Sequence, residues 1–157
     1  MTRSTAALLV ALTAATSGCG EAPETAADTP SEGEPAMSAP APDAILGSWT
    51  FERVRDRPVV DRSPAHILFG AEGRVAGSAS CNRMTGSYTV DGESLTLSPM
   101  AVTRRVCAAE ALMEQEARVL AALGEVAGWR IEQELLVLVD EEGGELFRAS
   151  RQVEGDS

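Results

Sequence analysis

Lysine is absent from the 157 residues, so all 13 basic residues are arginine, and against 24 acids they leave a formal charge of −11. Phosphate binding needs clustered cations, so this balance argues against nucleic acid as a partner. It argues equally against adhesion to anionic lipid by charge alone. Aromatic residues make up 4% of the chain, and histidine occurs once, as His66. No apolar run reaches the roughly 20 residues that a membrane-spanning helix needs. No glycine-rich phosphate loop and no Gly-x-Ser-x-Gly elbow occurs. The cysteines and the single histidine fall short of a structural zinc set in number and spacing. No metal, no cofactor and no catalytic residue is therefore expected.

What the N-terminus does have is an export signal. Arg3 supplies a positive start, and Ala6–Ala15 is a small-residue apolar run of h-region length. Thr16-Ser17-Gly18-Cys19 follows and resembles the bacterial lipobox, whose cysteine is acylated and becomes the mature N-terminus. It departs from that pattern at Thr16, where leucine is usual. Residues 1–19 are read as a lipoprotein signal peptide, with Cys19 as the lipidation site. Two or three acyl chains on Cys19 would hold a chain of this charge at a membrane. Gly20 in place of an aspartate favours the outer membrane, facing the periplasm. Residues 20–43 are rich in Pro, Ala and acid, with almost no large apolar side chain. Such a stretch cannot bury enough surface to offset its ordering entropy, and it reads as an extended, disordered tether.

Residues 44–150 carry the pattern of a folded domain, with 151–157 as a flexible tail. Trp49–Val54 alternates, His66–Phe69 is a short apolar strand, and Gly70–Gly73 turns into Arg74–Ala79. Ser87–Val90 and Ser94–Leu97 flank Asp91-Gly92, a hairpin signal for a type I′ turn with both residues at its centre. Trp129–Glu132, Leu135–Val139 and Glu145–Ala149 supply the last strands, with Gly143-Gly144 as a turn. One helix interrupts them over Ala108–Leu123. Its apolar stripe is Ala109, Leu112, Met113, Ala117, Leu120 and Leu123, expected to face the sheet. Glu114 and Glu116 on that helix, and Asp140–Glu142 in a turn, read as solvated acids. The expected fold is α+β, an antiparallel β meander curled around one α-helix.

Three cysteines in an exported chain leave Cys81 and Cys107 once Cys19 is acylated. An oxidising compartment predicts a Cys81–Cys107 disulfide. It would close a loop of about 27 residues, worth roughly 3–4 kcal/mol in the chain-entropy treatment. The competing reading pairs a free Cys81 with His66 as nucleophile and base; a disulfide would remove that nucleophile.

Gly77-Ser-Ala-Ser-Cys81-Asn82-Arg83-Met-Thr-Gly86-Ser-Tyr88 resembles the signature of META domains, the HslJ-like heat-inducible lipoproteins. The likeness runs on through Asp91-Gly92-Glu-Ser-Leu95-Thr-Leu and Met100-Ala-Val-Thr103-Arg-Arg-Val-Cys107. It continues in Leu112-Met-Glu-Gln-Glu116 and Leu136-Val-Leu-Val-Asp140. Arg105 and Ala108 depart from the Met and Pro that the family often has there. The resemblance implies a half-open β-barrel wrapped around a helix, similar to lipoproteins that pilot secretion-channel subunits. It implies no known catalysis, and an association with heat and envelope stress.

Asn82 and Arg83, beside Cys81, form a candidate partner-binding loop. The alternative for Asn82 is capping backbone groups in a tight turn, and for Arg83 an ion pair. Thr103 and Tyr88 read as packing residues. Two functions follow. One is a non-enzymatic cell-envelope lipoprotein, a stress-related binding, chaperone or assembly module whose partners are the membrane and an envelope protein or lipid. Such a module needs an apolar groove between sheet and helix. The other is an inhibitor of a lysozyme or protease, which needs a protruding polar loop around Cys81–Met84.

Overall fold

The computed structural model describes residues 42–153. The signal segment 1–19 with Cys19, tether residues 20–41 and the last four residues lie outside the described part. Ten strands and one helix follow one another: β1 (Gly47–Val54), β2 (Arg57–Pro58), β3 (His66–Gly70), β4 (Arg74–Ser78), β5 (Arg83–Asp91), β6 (Ser94–Leu97), β7 (Ala101–Val102), α1 (Glu110–Leu123), β8 (Gly128–Glu132), β9 (Leu135–Val139) and β10 (Glu145–Arg151).

All pairings are antiparallel and eight strands close a ring. The order β1-β3-β4-β5-β6-β8-β9-β10 returns to β1. The ring is uneven. Neighbouring strands share four or five residue pairs, but β6 and β8 meet only at Ser94 and Gly128. That seam is where the barrel is half open. The two-residue β7 leaves the ring there and pairs with the start of β5, through Met84–Val102 and Thr85–Ala101.

Side-chain alternation puts Trp49 and Phe51 inside from β1 and Ile67 and Phe69 inside from β3. A register shift between Phe51 and Arg53 breaks that period. It turns Arg53 out and brings Val54 into the core, which a strict two-residue count would not do. β9 buries Leu136, Val137 and Leu138 in succession. Val137 stands apart from the core cluster and is flanked in register by Arg130 and Arg148. Those two arginines bond Glu132 and Glu145, so their stems roof Val137 while their charges stay wet. The hydrogen bond from Arg130 holds the Glu132 carboxyl below its ordinary value.

Three expectations change in detail. The Asp91-Gly92 hairpin forms, but Asp91 pairs with Ser94 and the loop is Gly92-Glu93. Only Gly92 takes a positive φ, 59°, which matches a type II′ turn and not a type I′. Second, the domain does not stop at Ser150. Arg151 ends β10 and donates to the carbonyls of Leu46 and Ala44 at 2.7 and 2.9 Å, its guanidinium lying 4.3 Å over the Trp49 ring. That stacking clamps the last strand onto the first.

Third, the helix is rotated relative to its apolar stripe. It begins at Glu110, and its buried residues are Gln115, Glu116, Val119, Ala122 and Leu123. Ala109 and Ala117 are exposed, and Leu112, Met113 and Leu120 are only half-buried. Hydrophobic patterning alone would not bury Gln115 and Glu116. They are buried because each satisfies polar groups of the β2–β3 and β4–β5 loops. Gln115 accepts from the Val60 amide and donates to the Ser63 and Ser80 hydroxyls, each at 2.6 Å.

The β8–β9 hairpin turns through Gln133 and Glu134, both left-handed at φ 49° and 69°. Neither is a residue that favours this region, and each costs on the order of 1 kcal/mol there. Replacing the pair by Asn-Gly is expected to raise stability by about 1 kcal/mol, read as a later urea midpoint with an unchanged m-value. An unchanged midpoint would show that the turn is not strained.

Candidate functional site

Cys81 and Cys107 are joined in a disulfide, with Cα atoms 6.0 Å apart. The bond ties the segment entering β5 to the loop between β7 and α1. His66 borders the same surface hollow as Cys81. Its Nδ1 lies 2.7 Å from the Pro64 carbonyl, and with Cys81 in the disulfide no thiol nucleophile is available to it.

A buried polar cluster lies beneath that bond. One Glu116 oxygen accepts from the amides of Cys81 and Asn82, at 3.1 and 2.7 Å, and the other accepts from Asn82 Nδ2 at 2.7 Å. Asn82 Oδ1 accepts from Thr103 Oγ1 at 2.8 Å and from the Arg105 amide at 2.7 Å. Its Nδ2 also donates to the Arg105 carbonyl at 3.0 Å, and Thr103 Oγ1 accepts from the Arg83 amide. The helix, the start of β5 and the 103–107 loop are thus bound through two side chains.

This divides the candidate partner-binding loop. Asn82 is 2% exposed and its whole amide is engaged inside the fold, so it presents nothing to solvent. Arg83 is exposed and makes no ion pair among the described residues. Met84 is also buried, so Cys81–Met84 lies against the barrel and does not form the projecting loop an inhibitor needs. Glu116, expected in solvent, is 7% exposed and is the acceptor on which the cluster turns. The one sequence signal for it was the Leu112–Glu116 stretch of the META-like signature. Thr103 belongs to the cluster, while Tyr88 packs edge-on against Phe69 and donates to the Gly70 carbonyl at 2.9 Å. Burial, and secondarily the charge of Asp43, push the Tyr88 hydroxyl above its ordinary value.

The cluster also fixes one wall of a groove. With Gln115 and Glu116 turned inward, Met113 and Leu120 are left half-buried on the side of the helix that meets the β6–β7 segment and the loop after it. Two adjoining hollows of about 410 and 510 Å³ run between α1 and the β6–β7 segment and share Met100, Val102 and Leu120. Leu97 and Leu123 line one end. Met113 and the exposed loop Arg104–Val106 line the other, where Val106 is 91% exposed. Such volumes are those of small-molecule or side-chain sites, and methionines give an adaptable lining. Among the described residues no group of His, Cys, Asp and Glu is placed to hold a metal ion. No described helix is long and apolar enough to cross a membrane.

A ring of antiparallel strands, one helix packed against it and a disulfide-pinned loop define a small single-helix β-barrel domain. The META domain model matches residues 43–153, and the chain belongs to the META domain family. The heat shock protein HslJ of Escherichia coli (strain K12) is 36% identical over 67 residues, which are 42% of this chain and 47% of HslJ. The chain thus spans about half the length of the curated relative it matches. An NMR structure with 28% identity superposes with a TM-score of 0.54, covering 67% of this chain and 89% of that one. A Burkholderia xenovorans protein solved by NMR, 20% identical, gives 0.59 over 77% and 98% of the two chains. The crystal structure of a DUF4847 family protein from Bacteroides vulgatus gives 0.52 at 12% identity, over 71% and 96%. These last two share the fold alone.

Proposed function

We propose that this chain is a non-enzymatic, stress-related binding module of the cell envelope, carried on a lipid at Cys19 and using the groove beside α1 as its binding surface. The observation that carries this reading is the groove itself. A helix that buries a glutamine and a glutamate while leaving Leu120 and Met113 half-open spends its polar residues on the fold and its apolar ones on a surface. Family membership and the heat-shock relative support the stress role. The export signal and the Thr16–Cys19 motif support the envelope location, with the acid-rich tether giving reach from the membrane. A chaperone or assembly role is the use such a groove suits.

The test is rescue of a deletion strain under heat and envelope stress. The wild-type gene restores survival, whereas Leu120→Glu, which puts a charge into the groove, fails although the protein accumulates normally with its disulfide formed. Rescue by Leu120→Glu as good as wild type would overturn the groove as the working surface. Cys19→Ala is expected to move the protein from the membrane to the soluble envelope fraction; continued membrane recovery would sink the lipid anchor.

A further inference from the structure

The groove is not electrically uniform. At the Met113 end, Arg104 and Arg105 line it. Neither makes an ion pair among the described residues, and Arg83 beside them makes none either. Three unpaired arginines stand together on a chain whose formal charge is −11. Glu116 also borders this end, but its two oxygens already accept three N–H groups and are directed at Cys81 and Asn82. At the other end the groove closes on Gly124, and the neighbouring hollow is lined by Glu125, Asp140, Glu141 and Glu142. Between the ends the floor is Met100, Val102 and Leu120, with no charged side chain. From Met113 to Gly124 the helix advances about 16 Å at 1.5 Å per residue.

From this polarity we infer that the groove takes a single-chain acyl anion, a fatty acid or a lipid with one alkyl chain and an anionic head. The inference rests on the groove being the binding surface. The head sits on Arg104 and Arg105, where guanidinium forks match carboxylate or phosphate oxygens. The chain lies along Met113, Met100, Val102 and Leu120 towards Leu97 and Leu123. At the far end Glu125 is paired with Arg55, and the acids of Asp140–Glu142 repel the head and set the direction. A cationic amphiphile would meet the arginines at one end and would have to turn round to meet the acids. An amphipathic peptide would use the same floor but would need an acid at one end and a base at the other, about 16 Å apart, to match both rims, whereas a single-chain anion needs only the arginine end.

The test uses the full chain with Cys19→Ser, exported and oxidised, so that no attached lipid competes. Its methionine methyls carry ¹³C. Dodecanoate below its micellar concentration is expected to shift the methyls of Met100 and Met113 and leave that of Met84, buried in the core, unmoved. Its affinity is expected to exceed that of dodecyltrimethylammonium at least tenfold. Arg104→Gln with Arg105→Gln is expected to abolish that preference without moving the Met84 signal. Equal affinity for the two amphiphiles, or an unchanged preference in the double variant, would overturn the anionic ligand while leaving the groove as a binding surface. Met100 and Met113 methyls that stay unmoved with both amphiphiles and with an amphipathic peptide would overturn the groove reading too. An amphipathic peptide that shifts those methyls where dodecanoate does not would reassign the groove to a protein partner and end the lipid assignment.

Discussion

Glu116→Ala is expected to destabilise the domain by about 3 kcal/mol or more, while Glu114→Ala, two residues away on the same helix, stays within about 0.5 kcal/mol. Glu114 is exposed and bonds nothing, so its loss leaves no group unpaired. Removing Glu116 strands three donors at once: two main-chain amides and the Asn82 side chain. Each buried donor left without an acceptor costs about 1–3 kcal/mol, and water reaching half-exposed Cys81 recovers only part of that. Glu116→Gln separates charge from shape. Its carbonyl oxygen can keep the two backbone amides, but its NH₂ group then faces Asn82 Nδ2, donor against donor. Asn82 cannot flip to relieve this, because Oδ1 accepts two hydrogen bonds and Nδ2 donates to the Arg105 carbonyl. Glutamine is therefore expected to cost roughly 2 kcal/mol, below alanine but well outside error. Urea midpoints of the oxidised chain give both numbers. A Glu116→Ala midpoint equal to wild type would show that the cluster is idle.

The same residue marks where the sequence could be read and where it could not. Most of the strands, the single helix and the turns at Gly92 and Gly143-Gly144 follow from alternation, helix formers and glycine, and the closing of the strands into a barrel from the META resemblance. The helix orientation does not. A hydrophobicity pattern ranks Leu112 and Met113 as core and Gln115 and Glu116 as surface, because it counts the transfer of a polar side chain from water as pure loss. The loss is cancelled when that side chain meets donors of a strand start and a loop, and those lie 34 or more residues away along the chain. Tertiary hydrogen bonding of that range leaves no periodic trace. The bulge at Arg53 hides in the same way, since an apolar Val54 one residue out of phase reads as the end of a strand. The groove follows from the helix orientation. Turning the helix to satisfy Asn82 and Ser80 leaves Met113 and Leu120 facing outward, so a surface that was expected in general terms could not be assigned to its residues.

Loss of the Cys81–Cys107 disulfide, by Cys81→Ser with Cys107→Ser, is expected to cost about 3.5 kcal/mol for a separation of 26 residues. In the chain-entropy account that whole effect lies in the unfolded state, which gains freedom when the loop opens. The structure gives the bond a second role. Past Thr103, which bonds Asn82 and the Arg83 backbone, the loop is tied to the rest of the domain by the disulfide and the Asn82 bonds to Arg105, and Glu116 holds Asn82 in place. With the disulfide present, a chain lacking the Glu116 carboxylate must keep the loop closed over unpaired donors. Without the disulfide, the loop can lift and let water reach those donors, which relieves part of the penalty. The two losses should therefore be sub-additive by about 1 kcal/mol, the size seen for neighbouring groups that share a loop. A double-mutant cycle with Glu116→Gln measures this, and glutamine keeps the weakest member folded enough to titrate. Strict additivity would mean that the disulfide acts on the unfolded chain alone and that the cluster holds the loop, and with it the Arg104–Val106 wall of the groove, unaided.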